Sequence, residues 1–294
     1  MIRLRSIELN LPNAAAARDF FLNIWGLADA GITGVTSYLR GSGAFPYLVS
    51  LTEAEGPSVC STTFVVDDAD LARIREGAAA EGLIIQDTIS KDPGGGRGVL
   101  VQLPEGEVFR FLVGATEVAS IEGRDLPVKL THVVMNSADA EATATVAEKA
   151  LGFRVSDRTK GMVFVRCSPS HHSVAFARAG FASLNHIAFE MQDIDAVMRG
   201  IGRMRDHGAT PAWGPGRHGP GDNVYAYYIS PFGAVIEYST AVEIVPEDYQ
   251  VGAPEDWTWP PNRIDQWGIS DKDFEGLGKA ERIFKYLPLQ EKVI

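Results

Sequence analysis

Thr131-His132-Val133-Val134-Met135-Asn136 reads as a strand, and the Ala-rich stretch after it, ending at Leu151-Gly152-Phe153, reads as a helix with glycine just past its end. The same phrase occurs earlier. Arg5-Ser6-Ile7-Glu8-Leu9-Asn10 leads into a second Ala-rich helical stretch that ends at Trp25-Gly26-Leu27, and Gly26 and Gly152 stand equally far beyond Ser6 and His132. A second pair of segments matches in turn: Ser61-Thr62-Thr63-Phe64-Val65-Val66-Asp67-Asp68 with His186-Ile187-Ala188-Phe189-Glu190-Met191-Gln192-Asp193. Each runs into a helical pattern, Ala69 to Glu81 in one case and Ile194 to His207 in the other, stopped by Gly82 and Gly208. A third pair, Gln102 to Phe111 and Ile229 to Tyr238, places a Pro-x-Gly turn between two strand-like runs.

Repeats of this kind fix the organisation before any single element is assigned. The chain divides into two halves, 1–116 and 128–241, each made of two units that read strand, helix, then about three strands. The expected class is α+β, with each pair of βαβββ units curled around a cavity. Glu117 to Leu126 is charged and reads as a linker. The segment 242–294 is rich in Pro, Trp and charge, matches neither half, and is expected to pack over the second domain.

Composition narrows the function. With 45% apolar and 22% charged residues the chain can build a core. A net charge of −11 without a Lys/Arg cluster argues against nucleic acid as a partner. No apolar run approaches the ~18 residues of a membrane span, and no apolar stretch follows Arg3 and Arg5 to form a signal peptide. Cys60 and Cys167 lie far apart and suggest neither a disulfide framework nor a thiolate zinc site. A reduced, cytoplasmic protein is the expectation.

All six histidines, His132, His171, His172, His186, His207 and His218, fall in the second half, although the halves otherwise match. At matched positions the second half has His132, His186 and Glu237 where the first has Ser6, Ser61 and Arg110. The latter set cannot hold a cation, and Arg110 brings a positive charge of its own. Two imidazoles and one carboxylate on one face of an ion suit Fe(II) first, and Mn(II) as well. A single strand histidine with apolar neighbours is ordinarily a core residue with one hydrogen bond. Glu237, set between Ile236 and Tyr238, shifts the reading, because a buried carboxylate requires a partner or a metal. One duplicated scaffold with a single metal-binding half is therefore expected.

With these segments in view, the chain resembles the type I extradiol ring-cleavage dioxygenases of the vicinal oxygen chelate superfamily. The resemblance is carried by Leu130-Thr131-His132-Val133, Ser170 to Phe176, Leu184-Asn185-His186-Ile187, Gly214 to Gly221 and Val235-Ile236-Glu237-Tyr238. It implies the vicinal oxygen chelate fold, a homo-oligomer, a small aromatic diol and dioxygen as substrates, and Fe(II) or Mn(II) held by His132, His186 and Glu237. It also implies that His172 is the acid/base and that Tyr227 and His218 contact the substrate. Members of the family often carry an Asp where this chain has Gly221, and Asp222 beside it is the candidate to stand in. His171 is expected to point away from His172, as a structural or surface residue, and His207 to cap a helix end. Two other readings stay open: a metalloenzyme of the same superfamily without oxygen chemistry, of glyoxalase or isomerase type, and a small-molecule binding protein.

Overall fold

The computed structural model describes residues 1–289; the end of the expected tail, 290–294, lies outside the described residues. In the first half the chain forms β1 (Arg3–Leu11), α1 (Ala14–Phe20), β2 (Ala28–Thr33), β3 (Thr36–Arg40), β4 (Val49–Glu53), β5 (Ser58–Val65), α2 (Asp68–Ala80), β6 (Ile84–Ile89), β7 (Arg97–Gln102) and β8 (Val108–Val113). The second half repeats the order with β9 (Lys129–Ser137), α3 (Ala140–Leu151), β10 (Arg154–Arg158), β11 (Met162–Arg166), β12 (Val174–Arg178), β13 (Ser183–Glu190), α4 (Ile194–Asp206), β14 (Trp213–Arg217), β15 (Val224–Ile229) and β16 (Val235–Thr240). Strand, helix and three strands occur four times.

Local chemistry accounts for the helices. Asp67, Asp139 and Asp193 each accept a hydrogen bond from a backbone N–H of the first turn of α2, α3 and α4, satisfying a donor the helix itself leaves free. Gly152 ends α3 at φ 69°, where a side chain would be strained.

The strands form two sheets of the same order: β2-β3-β4-β1-β5-β8-β7-β6 and β10-β11-β12-β9-β13-β16-β15-β14. In each, two units meet through one antiparallel central pair, β1 with β5 and β9 with β13. One apolar core runs through both halves. Trp25, delivered by a π-helical turn at Phe21–Trp25, stacks on Tyr238 with ring centroids 3.7 Å apart, so the halves are locked by an aromatic contact.

Beyond β16 the tail runs across the second sheet and then forms α5 (Phe274–Ala280) and β17 (Lys285–Tyr286). It does not stay on the second half: β17 adds a parallel strand to β5 of the first sheet. None of the helices described is long and apolar enough to cross a membrane.

Candidate metal centre

The sheet register assembles the site. His132 pairs with Ala188, Ala188 with Glu237, Glu237 with Tyr227, and Tyr227 with Trp213. These five residues form one row across β9, β13, β16, β15 and β14, so their side chains share a face of the sheet. His186 lies two residues before Ala188 on the same strand and joins that face. Ala188, the smallest member of the row, leaves the room between His132 and Glu237.

Three atoms converge there. His132 Nε2 and His186 Nε2 each lie 3.2 Å from Glu237 Oε2 and 3.3 Å from one another. All three side chains are buried. Burial alone would raise the Glu237 carboxyl, but the facing His132 and His186 hold it well below the usual carboxylate range.

The hydrogen-bond chain behind His186 determines which of its nitrogens carries the proton. The Glu281 carbonyl can only accept, and Asn136 Nδ2 donates to it at 3.1 Å. Asn136 Oδ1 therefore accepts from Asn185 Nδ2 at 2.8 Å, and Asn185 Oδ1 accepts from His186 Nδ1 at 2.7 Å. With its proton on Nδ1, neutral His186 turns a lone pair at Nε2 toward the carboxylate. Two acceptors pressed together in a buried site are satisfied by a cation between them, or by a proton that His132 Nε2 donates. A near-equilateral triangle of two nitrogens and an oxygen, with edges of 3.2–3.3 Å, accommodates an ion at the ~2.1 Å bond lengths of first-row metals. The donors thus fit a divalent metal.

A cavity of roughly 340 Å³ opens onto His132 and His186 and is also lined by His172, His218, Tyr227 and Trp213. The His172 ring lies 4.3 Å from that of His132. Burial, reinforced by the neighbouring histidines, keeps His172 neutral, well below its ordinary pKa. His218 Nε2 is 3.0 Å from the Tyr227 hydroxyl. Burial pushes His218 down to about 3 and lifts Tyr227 well above its usual range, so the pair is uncharged at neutral pH.

His171 departs from expectation. It is fully buried, its Nδ1 3.0 Å from His172 Nδ1 and its Nε2 2.6 Å from Asp157 Oδ2. Strand alternation does not separate the two histidines because both precede β12, in a bend. Asp157 Oδ2 accepts from His171 Nε2, and across the Nδ1–Nδ1 contact one histidine donates and the other accepts. Where His171 accepts at Nδ1, His172 donates there and keeps a lone pair at Nε2. Gly221, at φ 76°, backs onto this pair: a Cβ there would lie 3.0 Å from both rings.

Asp222 does not stand in at the outer shell. At φ 51° its side chain turns out to Arg217, at 2.6 Å. Asn223 takes the place instead, donating from Nδ2 to Glu237 Oε1 at 3.3 Å and to Ser239 Oγ at 2.9 Å. His207 ends α4 as expected, with Nδ1 2.9 Å from the Arg203 carbonyl. Asn185, Asn223 and Asp157 escaped the sequence reading, since none belongs to a spaced motif.

The first half explains what became of the equivalent site. Ser6 pairs with Thr63 and Thr63 with Arg110, the same row as His132, Ala188 and Glu237. Glu8 accepts from Ser6, Ser61, Thr63 and Tyr47 at 2.6–3.1 Å, and the Arg110 guanidinium lies 3.0 Å from it. Burial would lower Arg110, but Glu8, Tyr47 and Asp92 together outweigh this and raise it. The guanidinium is a built-in cation where the other half assembles metal donors. Arg110→Ala would strand buried Glu8, and it is expected to cost about 3–5 kcal/mol of stability at neutral pH in urea unfolding. A loss below 1 kcal/mol would contradict this account.

Comparison with known proteins follows the same division. Residues 129–238 match the model of the Glyoxalase/Bleomycin resistance protein/Dioxygenase superfamily, and this part of the chain is a domain of that superfamily. Metapyrocatechase 2 of Cupriavidus necator is 28% identical over 220 residues, covering 66% of this chain and 68% of that protein. The Mn(II)-bound glyoxalase from Novosphingobium aromaticivorans superposes with a TM-score of 0.85 at 27% identity, over 100% of this chain and 98% of that one. A variant of homoprotocatechuate 2,3-dioxygenase from Brevibacterium fuscum shares the fold, with a TM-score of 0.80 at 20% identity over 90% of this chain and 78% of the other. The four βαβββ units are the vicinal oxygen chelate fold.

Proposed function

We propose that this chain is an extradiol dioxygenase that cleaves a catechol-type diol with dioxygen, using Fe(II), or alternatively Mn(II), held by His132, His186 and Glu237. The observation that best supports this is buried His172, which lines the same cavity as the two histidine donors, lies 4.3 Å from the His132 ring and has its Nδ1 engaged by His171, leaving Nε2 for proton transfer. The similarity to metapyrocatechase 2 points the same way.

A bound ion would supply a common anchor for diol and dioxygen and a path for electrons between them. The protein supplies the proton chemistry. His172 takes a proton at Nε2 and returns it, while Nδ1 stays tied to His171. Tyr227 and His218, an uncharged pair, hydrogen-bond a diol oxygen and orient the ring. Phe164, Trp213 and Trp259 line the cavity and limit water.

Anaerobic loading with Fe(II), followed by oxygen-uptake assays on mono- and bicyclic catechols, tests the reading. Stoichiometric oxygen consumption with a yellow ring-opened product is expected. Near-complete superposition on a Mn(II)-bound glyoxalase favours a second reading, a metalloenzyme without oxygen chemistry. Protein that retains the ion, consumes no oxygen with any catechol and turns over glyoxalase-type substrates would establish that reading and overturn the first.

A further inference from the structure

The row that carries the metal donors continues beyond them. Tyr227 packs against His186 with ring centroids 4.9 Å apart, and Trp213 stacks on Tyr227 at 5.1 Å. Trp213 forms a backbone bridge to Lys272 in the tail, and the Lys272 ammonium lies 4.0 Å from the centre of the Trp213 ring. The neighbouring Asp273 N–H donates to the Ala212 carbonyl at 2.8 Å and fixes the tail there. Lys272 lines the cavity together with His132 and His186. A flat ring held at the donor end and lying along Tyr227 and Trp213 would direct a substituent at this ammonium.

The charge of Lys272 is poorly compensated. Among the described residues no carboxylate stands within 4.0 Å of its Nζ, and burial lowers its pKa from the usual lysine value, a cost that a bound anion would offset. Glu281 faces it at longer range from just beyond the end of α5, and burial raises Glu281 toward its neutral form. The other cation of the cavity wall, Arg178, is taken by Glu141 at 2.6 Å. The face of Trp213 attracts the ammonium but accepts no full hydrogen bond. A desolvated lysine with free donors is a site for an anion.

We propose that Lys272 anchors a carboxylate on the side chain of the substrate, so that the diol taken by this pocket is an anionic catechol. The substrate class rests on the dioxygenase reading; the anion site itself does not. A ligand carboxylate seated on Lys272 completes the donor set that the protein leaves open, while the diol end meets His132, His186 and Glu237.

Binding and turnover are measured separately, so that the two can fail separately. Calorimetry with phenylacetate and phenylacetamide, which cannot be cleaved, reads the anion site alone. Phenylacetate is expected to bind about tenfold more tightly than the amide to the wild-type chain, with no preference in Lys272→Gln and a restored preference in Lys272→Arg. Equal binding of both ligands by the wild type, or a preference that survives Lys272→Gln, overturns the proposal whether or not any catechol is cleaved. With the Fe(II)-loaded chain, 3,4-dihydroxyphenylacetate, 4-methylcatechol and dopamine are then compared. The expected order puts the anion first, and Lys272→Gln raises its KM about tenfold while changing 4-methylcatechol far less. A uniform loss on all three would mark Lys272 as a mere tail fastener, and a preference for dopamine would assign the wall to Glu281; either overturns the proposal. No oxygen uptake with any of the three, alongside the expected calorimetry, would reject the dioxygenase reading and leave the anion site standing.

Discussion

His186→Ala is expected to give a folded chain that no longer retains a stoichiometric divalent ion. The substitution removes one of three donors that meet within 3.3 Å, and the remaining pair, His132 and Glu237, can satisfy each other by a hydrogen bond once one proton is added. His132→Ala should behave alike. The residues behind the donors should give a graded result. Asn185→Ala leaves His186 free to move its proton to Nε2, and Asn223→Ala releases Glu237 Oε1; each is expected to weaken metal affinity roughly 10–100-fold without abolishing it. Metal analysis after anaerobic dialysis, with circular dichroism to confirm folding, reads all four. Retention of a full equivalent by His186→Ala would remove these residues as the ligands. The first half should be silent in the same measurement, since Arg110 already supplies its cation.

That contrast between halves was legible in the sequence because a repeat in sequence becomes a repeat in register. Ser6, Ser61 and Arg110 stand in the sheet where His132, His186 and Glu237 stand in the other, so comparing letters amounted to comparing positions on one face. The matched strand and helix patterns gave the element order for the same reason. What stayed hidden depends on contacts that have no spacing. Glu8 closes the first site, and nothing in Arg5-Ser6-Ile7-Glu8 announces that Tyr47 and Thr63 will meet it. Asn185 neighbours His186 and on a regular strand would face the other way, but a register shift between Leu184 and His186 interrupts the β9–β13 pairing at that point and the two side chains meet. Asp222 and Asn223 differ by one position, and only the left-handed turn at Asp222 decides which of them reaches Glu237. Lys272 comes from the tail, where no repeat offers a reference.

The same geometry separates metal binding from proton transfer. His172→Ala is expected to keep a full equivalent of metal and lose roughly 10²–10⁴-fold in turnover, the usual share of a positioned acid/base. His172 lies tilted against His132 but contributes no atom to the donor triangle, so equal metal loss in His172→Ala and His132→Ala would defeat the division of roles. Asp157→Asn is the sharper test. The Gly252 N–H donates to Asp157 Oδ1 at 2.7 Å, and the other oxygen faces His171 Nε2. An asparagine would keep its oxygen on Gly252 and turn its NH₂ to His171. His171 would then carry its proton on Nδ1, His172 would have to accept there, and its Nε2 would gain a proton in the resting state. The substitution removes no atom from the cavity and leaves the metal donors untouched. It should nevertheless reproduce much of the His172→Ala loss in kcat at full metal content. Wild-type turnover in Asp157→Asn would show that the Asp157–His171 pair does not set the protonation of His172.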